Sequence, residues 1–207
     1  MNTTIAGFAR QCRVAVLVLA ALTAILGVGY PAVVWAASRI DSSSADGSQV
    51  TDARGCPAGS TLIGVDPQVR AGQPDSYLHA RVLGSADDPM VTGDPSASAA
   101  SNQGPNSGTS ARNIEARRDV ISQREGVAPE QVPADAVTGS GSGLDPHISP
   151  EYAALQIPRI ARNSNRSEAQ VREIVDRYTE GRQWGFLGQP RVNVLEVNLA
   201  LGHTVCG

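Results

Sequence analysis

The chain has 207 residues and a net charge of −3, and all 17 of its basic residues are arginine. The absence of lysine excludes a P-loop nucleotide-binding site and a Schiff-base enzyme, because both need a lysine amine. The mild acidity argues against binding to nucleic acid, which requires a basic surface.

The first predicted element is a membrane-spanning helix at residues 14–37, a stretch without any charged residue. Twenty-four helical residues extend for about 36 Å, more than the roughly 30 Å hydrocarbon core of a bilayer. Arg10 and Arg13 precede this stretch, and the first acidic residue is Asp41. The positive-inside rule therefore predicts a short cytoplasmic N-terminus, residues 1–13, with the rest of the chain on the outer side of the membrane.

A cleaved signal peptide is the alternative interpretation of the same stretch. Val34 and Ala36 stand where a signal peptidase requires small residues. The apolar stretch is longer than the roughly 7–15 residues of a usual signal peptide, which favours a retained anchor.

The chain after the anchor begins with polar segments and short apolar ones. Residues 38–59 are rich in Ser, Asp, Gly and Ala and are interpreted as a stalk or loop. Residues 61–65 and 77–83 are candidate strands, the second with alternating apolar and polar positions. Residues 84–108 offer few side chains for a core and predict a long loop.

Three helices follow in the second half. Residues 110–125 have a narrow apolar face. A second helix is predicted over 150–162, in which Pro158 should introduce a kink or an early end. The capping box at 167–170 starts a third helix, with Gly181 as its predicted end.

The last predicted element is a strand at residues 194–201, where leucine and valine alternate with other side chains. Strands and helices alternate only loosely, and the strands are too few for a doubly wound sheet. We therefore predict an α+β domain over residues 60–207, placed outside the cytoplasm and attached to a single N-terminal transmembrane helix.

Residues 138–150 are the most informative segment, Thr-Gly-Ser-Gly-Ser-Gly-Leu-Asp-Pro-His-Ile-Ser-Pro. The alternate glycines permit positive φ, whereas the prolines fix φ and favour extended neighbours. A flexible linker would not combine such freedom with such restraint, so a defined loop is predicted. The glycines are Gly139, Gly141 and Gly143, and the prolines are Pro146 and Pro150.

This run, starting at Val137, resembles the signature of the C subunit of the Kdp-type potassium-transporting P-type ATPase. Agreement extends to the apolar span and to Ser-Asn-Gln-Gly-Pro-Asn at 101–106. It also includes Leu-Gly-Gln-Pro-Arg-Val-Asn-Val-Leu at 187–195 and Asn-Leu-Ala-Leu at 198–201. The resemblance implies a non-catalytic accessory subunit of a high-affinity, ATP-driven potassium uptake pump in the plasma (inner) membrane.

The resemblance also implies the partners and a mode of action. The partners are the potassium-conducting subunit, the ATP-hydrolysing subunit, a small membrane subunit and the lipid bilayer, with no nucleic acid. The subunit would support assembly and stability, and would act as a catalytic chaperone that raises the ATP affinity of the ATP-hydrolysing subunit. No cofactor is expected on this chain, since ATP and potassium are handled by the complex. The Asp-Lys-Thr-Gly run of ATP-hydrolysing transport subunits is absent, so the chain is expected not to be an enzyme by itself.

The glycine-rich segment is interpreted as a loop that orders the domain or docks on a partner. A hydrolase nucleophile is disfavoured because the Gly-x-Ser-x-Gly pattern would need serine where glycine stands at 141. A metal site of Asp145, His147 and His79 lacks a fourth ligand. A phosphate-binding nest is disfavoured because the loop is predicted outside, whereas ATP is cytoplasmic. The candidate residues are Ser140, Gly141, Ser142, Gly143, Asp145 and His147.

Three cysteines complete the candidate groups. Cys12 lies beside the span and is expected to be a reduced, unreactive thiol. Cys56 and Cys206 fall on the predicted outer side, where disulfides persist, and are candidates for a disulfide that the sequence alone leaves undecided.

A second functional class stays open on these residues. A free-standing, membrane-anchored extracytoplasmic binding module has the same anchor and the same lack of catalytic groups. Co-purification with large multispanning partners would distinguish the pump subunit from such a module.

Overall fold

The computed structural model describes residues 2–85 and 87–206. The chain divides into two compact units, Met1–Ser48 and Gln49–Gly207. The first unit is helical and apolar, and the second is a mixed domain of helices and short strands. This composition confirms the predicted α+β class with a long apolar helix at the N-terminus.

The first unit is a helical stretch with an irregular turn in its middle. At that turn the Tyr30 N–H donates to the Ile25 carbonyl, five residues back. Pro31 directly after it has no N–H to donate, so the regular backbone ladder is interrupted at this point by the sequence itself. The elements are α1 (Asn2–Ala24), a π-helical turn (Ile25–Gly29), α2 (Tyr30–Ser38), a 3-10 turn (Arg39–Asp41) and α3 (Ser42–Ala45).

The helical stretch Ile5–Ala45 is long and apolar enough to cross a membrane. It contains the predicted span, residues 14–37. Its large apolar side chains are exposed to the surroundings rather than buried in protein, as a lipid-facing helix requires.

The second unit contains two small antiparallel sheets and five helices among the residues described. β1 pairs with β2, and the three-stranded sheet has the order β3–β5–β4. The elements are β1 (Gln49–Thr51), β2 (Pro57–Ser60), α4 (Gly108–Glu125), a 3-10 turn (Pro129–Gln131), α5 (Ala134–Val137), β3 (His147–Ile148), α6 (Pro150–Ser164), α7 (Glu168–Arg177), β4 (Thr179–Glu180), β5 (Arg191–Asn193) and α8 (Val194–Ala200).

The hydrophobic core forms around α6, which contacts α4, α7 and the central strand β5. Full burial of an aliphatic side chain contributes about 1.5–3 kcal/mol, so this cluster dominates the stability of the domain. Its largest fully buried side chains are Leu78, Ile121, Tyr152, Ile157, Ile160, Val171, Val192 and Val197.

The three predicted helices of the second half are present, and their caps explain their positions. α4 begins after Ser107, whose side chain accepts from the Ser110 N–H, and ends at Gly126 with φ of 71°. The capping box of Ser167 and Gln170 starts α7 as predicted. Pro158 does not end α6, which continues to Ser164.

The predicted end of the third helix at Gly181 is wrong. α7 ends at Arg177, and β4 follows directly. The Asn193 N–H donates to the Tyr178 carbonyl at 3.3 Å, and β4 pairs with β5. Pairing with the central strand therefore replaces the last helical turn.

The predicted strand at 194–201 is also wrong, because this segment is mostly helix α8. Asn193 caps it by accepting from the Glu196 N–H at 3.2 Å. The buried positions are Val194, Val197, Asn198 and Leu201, which follow helical and not strand periodicity. The alternation of leucine and valine in the sequence suggested a strand. It concealed the buried helical face because one residue of that face, Asn198, is polar.

The two other strand predictions, at 61–65 and 77–83, are wrong, because neither segment pairs as a strand and Thr61 and Leu62 lie in a turn. Within 61–83, all of which the structure describes, no helix or strand occurs. Of the loop predicted at 84–108, residues 84–85 and 87–107 are irregular apart from one isolated bridge between Asp94 and Ala97, and Gly108 begins α4. The segment 38–59, interpreted as a stalk or loop, contains α3, β1 and part of β2.

Candidate partner-docking site

The glycine-rich loop follows α5 and leads into β3. The side chain of Asp135 on α5 accepts from both the N–H and the hydroxyl of Ser149, at 2.8 Å each. Ser149 in turn caps α6 by accepting from the Tyr152 N–H at 3.0 Å. Both ends of the loop are therefore fixed by helix termini.

Backbone groups along the loop bind four separate parts of the chain. The Ser140 N–H donates to the Val82 carbonyl at 3.1 Å, and the Ser142 carbonyl accepts from the Ala99 N–H at 2.9 Å. The Leu144 carbonyl accepts from the Gly64 N–H, also at 2.9 Å. The Pro146 carbonyl accepts from the N–H of Val194 in α8 at 3.0 Å. The loop is thus the place where the extended segments join the helical core.

Close backbone approach explains part of the glycine pattern. Of the three glycines, only Gly143 has a positive φ, 73°. A Cβ on Gly143 would lie 2.7 Å from the Ala99 carbonyl oxygen, whereas a Cβ on Gly141 would meet no atom within 4 Å. Gly64 and Gly93 lie against the loop backbone so closely that a side chain on either would overlap it. The glycines at 64, 93 and 143 therefore serve packing around the loop.

Two arginines hold the start of the loop. Arg81 pairs with Asp145 at 2.8 Å and also donates to the Gly139 carbonyl at 3.0 Å. Arg117 is buried and donates to three carbonyls, those of Val137, Leu83 and Pro89. Burial lowers the pKa of Arg117, and the nearby positive charge of Arg81 lowers it further.

The polar side chains of the loop have structural partners. The buried hydroxyl of Ser140 accepts a hydrogen bond of 3.3 Å from the Asp145 N–H. It also lies 3.3 Å from the Ser142 hydroxyl. The carboxylate of Asp145 accepts from the His147 N–H at 3.0 Å. Burial lowers the pKa of the half-buried His147 imidazole, and the positive charge of Arg191 lowers it further. Gly141 and Ser142 are the exposed members of the six candidate residues.

The structure does not bring the three suggested metal ligands together. Both ring nitrogens of His79 bind acids: Nδ1 lies 3.0 Å from Asp66, and Nε2 lies 2.9 Å from Asp75. Asp145 is paired instead with Arg81. His79 is therefore part of a separate buried cluster.

That cluster was missed from the sequence. Burial alone would lower the pKa of His79, but the hydrogen bonds that its ring makes to the carboxylates of Asp66 and Asp75 outweigh burial and raise the pKa. Arg159 joins the cluster by pairing with Asp75 and with Glu125 at 3.0 Å each. Each buried charge thus faces an opposite one, which the low dielectric of a core requires.

Side-chain amides replace a neighbouring strand along residues 77–80. Asn198 accepts from the Leu78 N–H at 2.7 Å and donates to the Leu78 carbonyl at 2.9 Å. Gln156 does the same for His79, at 2.8 and 3.2 Å. Each amide offers one donor group and one acceptor, so a single side chain satisfies both backbone groups of a residue.

Cys56 and Cys206 form a disulfide, with their Cα atoms 6.2 Å apart. It ties the C-terminal tail to the β1–β2 hairpin. Asp52 strengthens this junction by accepting from the N–H groups of Cys56 and Val205, at 2.9 Å each. Asp52 and the two sulfur atoms are close enough together to resemble a metal site, but sulfurs bonded to each other are not thiolate ligands.

An exposed surface was also missed from the sequence, the hairpin tip formed by residues 183–187 between β4 and β5. Gln183 and Leu187 pair there, and Trp184 and Phe186 are exposed by 84% and 68%. A sequence signal was available, since the chain has only two tryptophans and two phenylalanines, and one of each lies in this tip.

Comparisons with known proteins agree on one family. A family model described as "KdpC: K+-transporting ATPase, c chain" matches residues 12–203. The "Potassium-transporting ATPase KdpC subunit" of Kineococcus radiotolerans is 43% identical over 205 residues, covering 97% of each chain. The protein of the same name from Geobacter sulfurreducens is 40% identical over 196 residues, covering 93% of this chain and 97% of its own length. That from Streptomyces avermitilis is 37% identical over 225 residues, covering 99% of each.

Proposed function

We propose that this chain, which belongs to the KdpC family of potassium-transporting ATPase subunits, is a non-catalytic accessory subunit of an ATP-driven potassium uptake pump. Its role is to support assembly and stability of the complex. Its partners are a potassium-conducting subunit, an ATP-hydrolysing subunit and a small membrane subunit, which handle the potassium and the ATP.

The observation that carries this proposal is the use of the glycine-rich loop. Its carbonyls, N–H groups and polar side chains are engaged with residues 64, 81, 82, 99 and 194. Ser140 is buried against Ser142 and Asp145 rather than poised beside a base. A segment used in this way organises a domain, and the domain then serves as a rigid body for binding.

The membrane arrangement in this proposal has one anchor and a domain outside the cytoplasm. Arg10 and Arg13 on one side of the apolar stretch support this orientation. The disulfide of the second unit gives independent support, since disulfides persist in oxidising compartments and are rare in the cytosol.

A catalytic-chaperone role is compatible with this arrangement only through linkage. A subunit that binds the ATP-competent state of its partner more tightly raises the partner's ATP affinity without touching the nucleotide. With the loop on the outer side, ATP affinity would be raised through assembly and not through a phosphate-binding loop.

Co-purification tests the proposed function. We expect an affinity-tagged full chain, expressed with the pump subunits and extracted in mild detergent, to bring the multispanning partners with it. Recovery of the chain alone would overturn the proposal and favour a free-standing binding module.

Cysteine labelling tests the orientation. Ser96 is exposed in the long loop, and the free cysteine Cys12 can be removed by C12S. In that background, S96C should react with an impermeant thiol reagent on intact cells, and A9C should react only after lysis. Protection of S96C until lysis would refute the orientation.

A further inference from the structure

The hairpin tip, residues 183–187, exposes most of the aromatic surface of the second unit. Trp184 and Phe186 are the Trp and Phe residues of this unit, since Phe8 and Trp35 belong to the first. Leu187 beside them is 43% exposed. Large apolar side chains grouped in this way on a surface indicate an interaction site.

The backbone of the tip gives a second, independent reason. Trp184 has a φ of 51° and Gly185 a φ of 83°, and the Phe186 N–H donates to the Gln183 carbonyl at 3.3 Å. Turns with two positive φ values favour Asn, Asp or Gly, and a bulky residue there is strained. Trp184 therefore benefits neither the turn nor the core of the domain, and such outliers are characteristic of functional sites.

The tip is also closed by backbone hydrogen bonds and flanked by positive charge. Gln183 and Leu187 exchange two backbone hydrogen bonds of 2.9 Å. Arg191 pairs with Glu180, whereas Arg182 contacts the neutral Gln189. No acidic residue occurs between 181 and 190, although the chain after the span has 20 acids against 15 arginines. A partner surface that fits the tip is an apolar pocket with an acidic rim.

We propose that the hairpin tip is the contact by which this domain docks on the extracytoplasmic surface of a multispanning pump subunit. This inference rests on the proposed function and names the docking residues that it requires. The tip, and not the glycine-rich loop, makes the contact, because the loop is occupied within the domain. Trp and Arg are the side chains most enriched at the energetic centres of protein interfaces.

Charge favours a protein surface over the bilayer as the occupant. Attraction to anionic lipid relies on clusters of about four to eight basic residues. Arg182, directly before the tip, has no acidic partner among the described residues, and the domain as a whole is acidic. An anionic bilayer would repel such a domain, whereas a pocket with local acids would attract the tip.

The test compares W184N with the control L62N. Asparagine tolerates positive φ, so W184N removes the indole without straining the turn. Leu62 is an apolar residue with 62% exposure outside the tip. We expect W184N to keep the melting temperature of the wild-type chain and to weaken binding of the multispanning subunits roughly 30-fold, as loss of an interface hot spot does. The control should bind as the wild type does.

Wild-type recovery of the partners by W184N, or equal losses in both variants, would overturn the inference while leaving the proposed function intact. A wild-type chain that recovers no partner would overturn both.

Trp184 fluorescence tests the lipid alternative. In a W35F background, Trp184 is the only tryptophan of the chain. Its emission should be that of a water-exposed indole when the full chain is reconstituted alone in lipid nanodiscs, and should shift to shorter wavelength in the assembled complex. The same shift in nanodiscs without the partners would show that lipid covers the tip and would overturn the proposal.

Discussion

Replacement of Gly143 by alanine tests the glycine-rich loop as the organising element of the domain. Gly143 combines a φ of 73° with close contact to the Ala99 carbonyl. Gly141, two residues earlier, has neither feature, since its φ is not positive and a Cβ there would meet no atom within 4 Å. The pair G143A and G141A thus differs in local geometry but not in chemistry.

Two terms determine the expected loss of stability for G143A. A non-glycine residue in the left-handed region costs about 1–2 kcal/mol. Relief of the 2.7 Å contact moves the segment around Ala99 and weakens its 2.9 Å hydrogen bond to the Ser142 carbonyl, which is worth about 1 kcal/mol. The free energy of unfolding should therefore fall by about 2–3 kcal/mol. For G141A we expect no loss, or a gain of about 0.4–1 kcal/mol from the smaller entropy of the unfolded chain.

Thermal unfolding of the full chain in detergent measures the difference. For a domain of the size of Gln49–Gly207, about 1 kcal/mol shifts the melting temperature by about 2–4 °C. G143A should therefore melt about 4–12 °C lower than the wild type, with recovery of the partner subunits reduced in proportion to the unfolded fraction. Equal melting temperatures for the two variants would refute the role assigned to Gly143.

Two further predictions concern the buried His79 cluster and the disulfide. Because the pKa of His79 is raised in the folded state, its contribution to stability is complete below about pH 6.5 and is lost as the pH rises through the folded pKa. The difference in unfolding free energy between the wild type and H79Q should therefore shrink with rising pH, whereas H147Q serves as a control with a lowered pKa and the opposite trend. A pH-independent difference would contradict the paired His79. Removal of the disulfide by the double substitution C56S and C206S opens a loop of 150 residues. It should destabilise the domain by about 2–5 kcal/mol. C12S is the control, and the same melting temperature with and without reductant would contradict the prediction.

Helices were predictable from the sequence where their caps are local. Ser167 with Gln170, and Gly126 after α4, mark their ends by hydrogen bonds within four residues. The end of α7 was not predictable in this way. It depends on pairing between β4 and β5, which are separated by the hairpin tip.

Strand predictions failed for a different physical reason. The alternating pattern at 77–83 correctly indicates an extended segment with buried side chains, and Leu78, Ala80 and Val82 are buried. What it cannot indicate is the hydrogen-bonding partner, because Asn198 and Gln156 lie 120 and 77 residues away from the backbone groups they bind. A polar side chain that hydrogen-bonds to a backbone segment in place of a neighbouring strand leaves no periodic pattern in the sequence.

The same reasoning separates the two candidate sites. Glycines and prolines indicate where a backbone is fixed, and the loop at 138–148 is indeed surrounded by close backbone contacts with Gly64 and Gly93. A fixed backbone does not by itself reveal whether the surface is used by the domain or by a partner. That distinction follows from what remains unsatisfied after folding. The Ser140 N–H, the Ser142 carbonyl and the Asp145 carboxylate of the loop have partners elsewhere in the domain, whereas Trp184 is left exposed on a strained turn. The fold gives no reason for a tryptophan at position 184, whereas a binding partner that covers its side chain does.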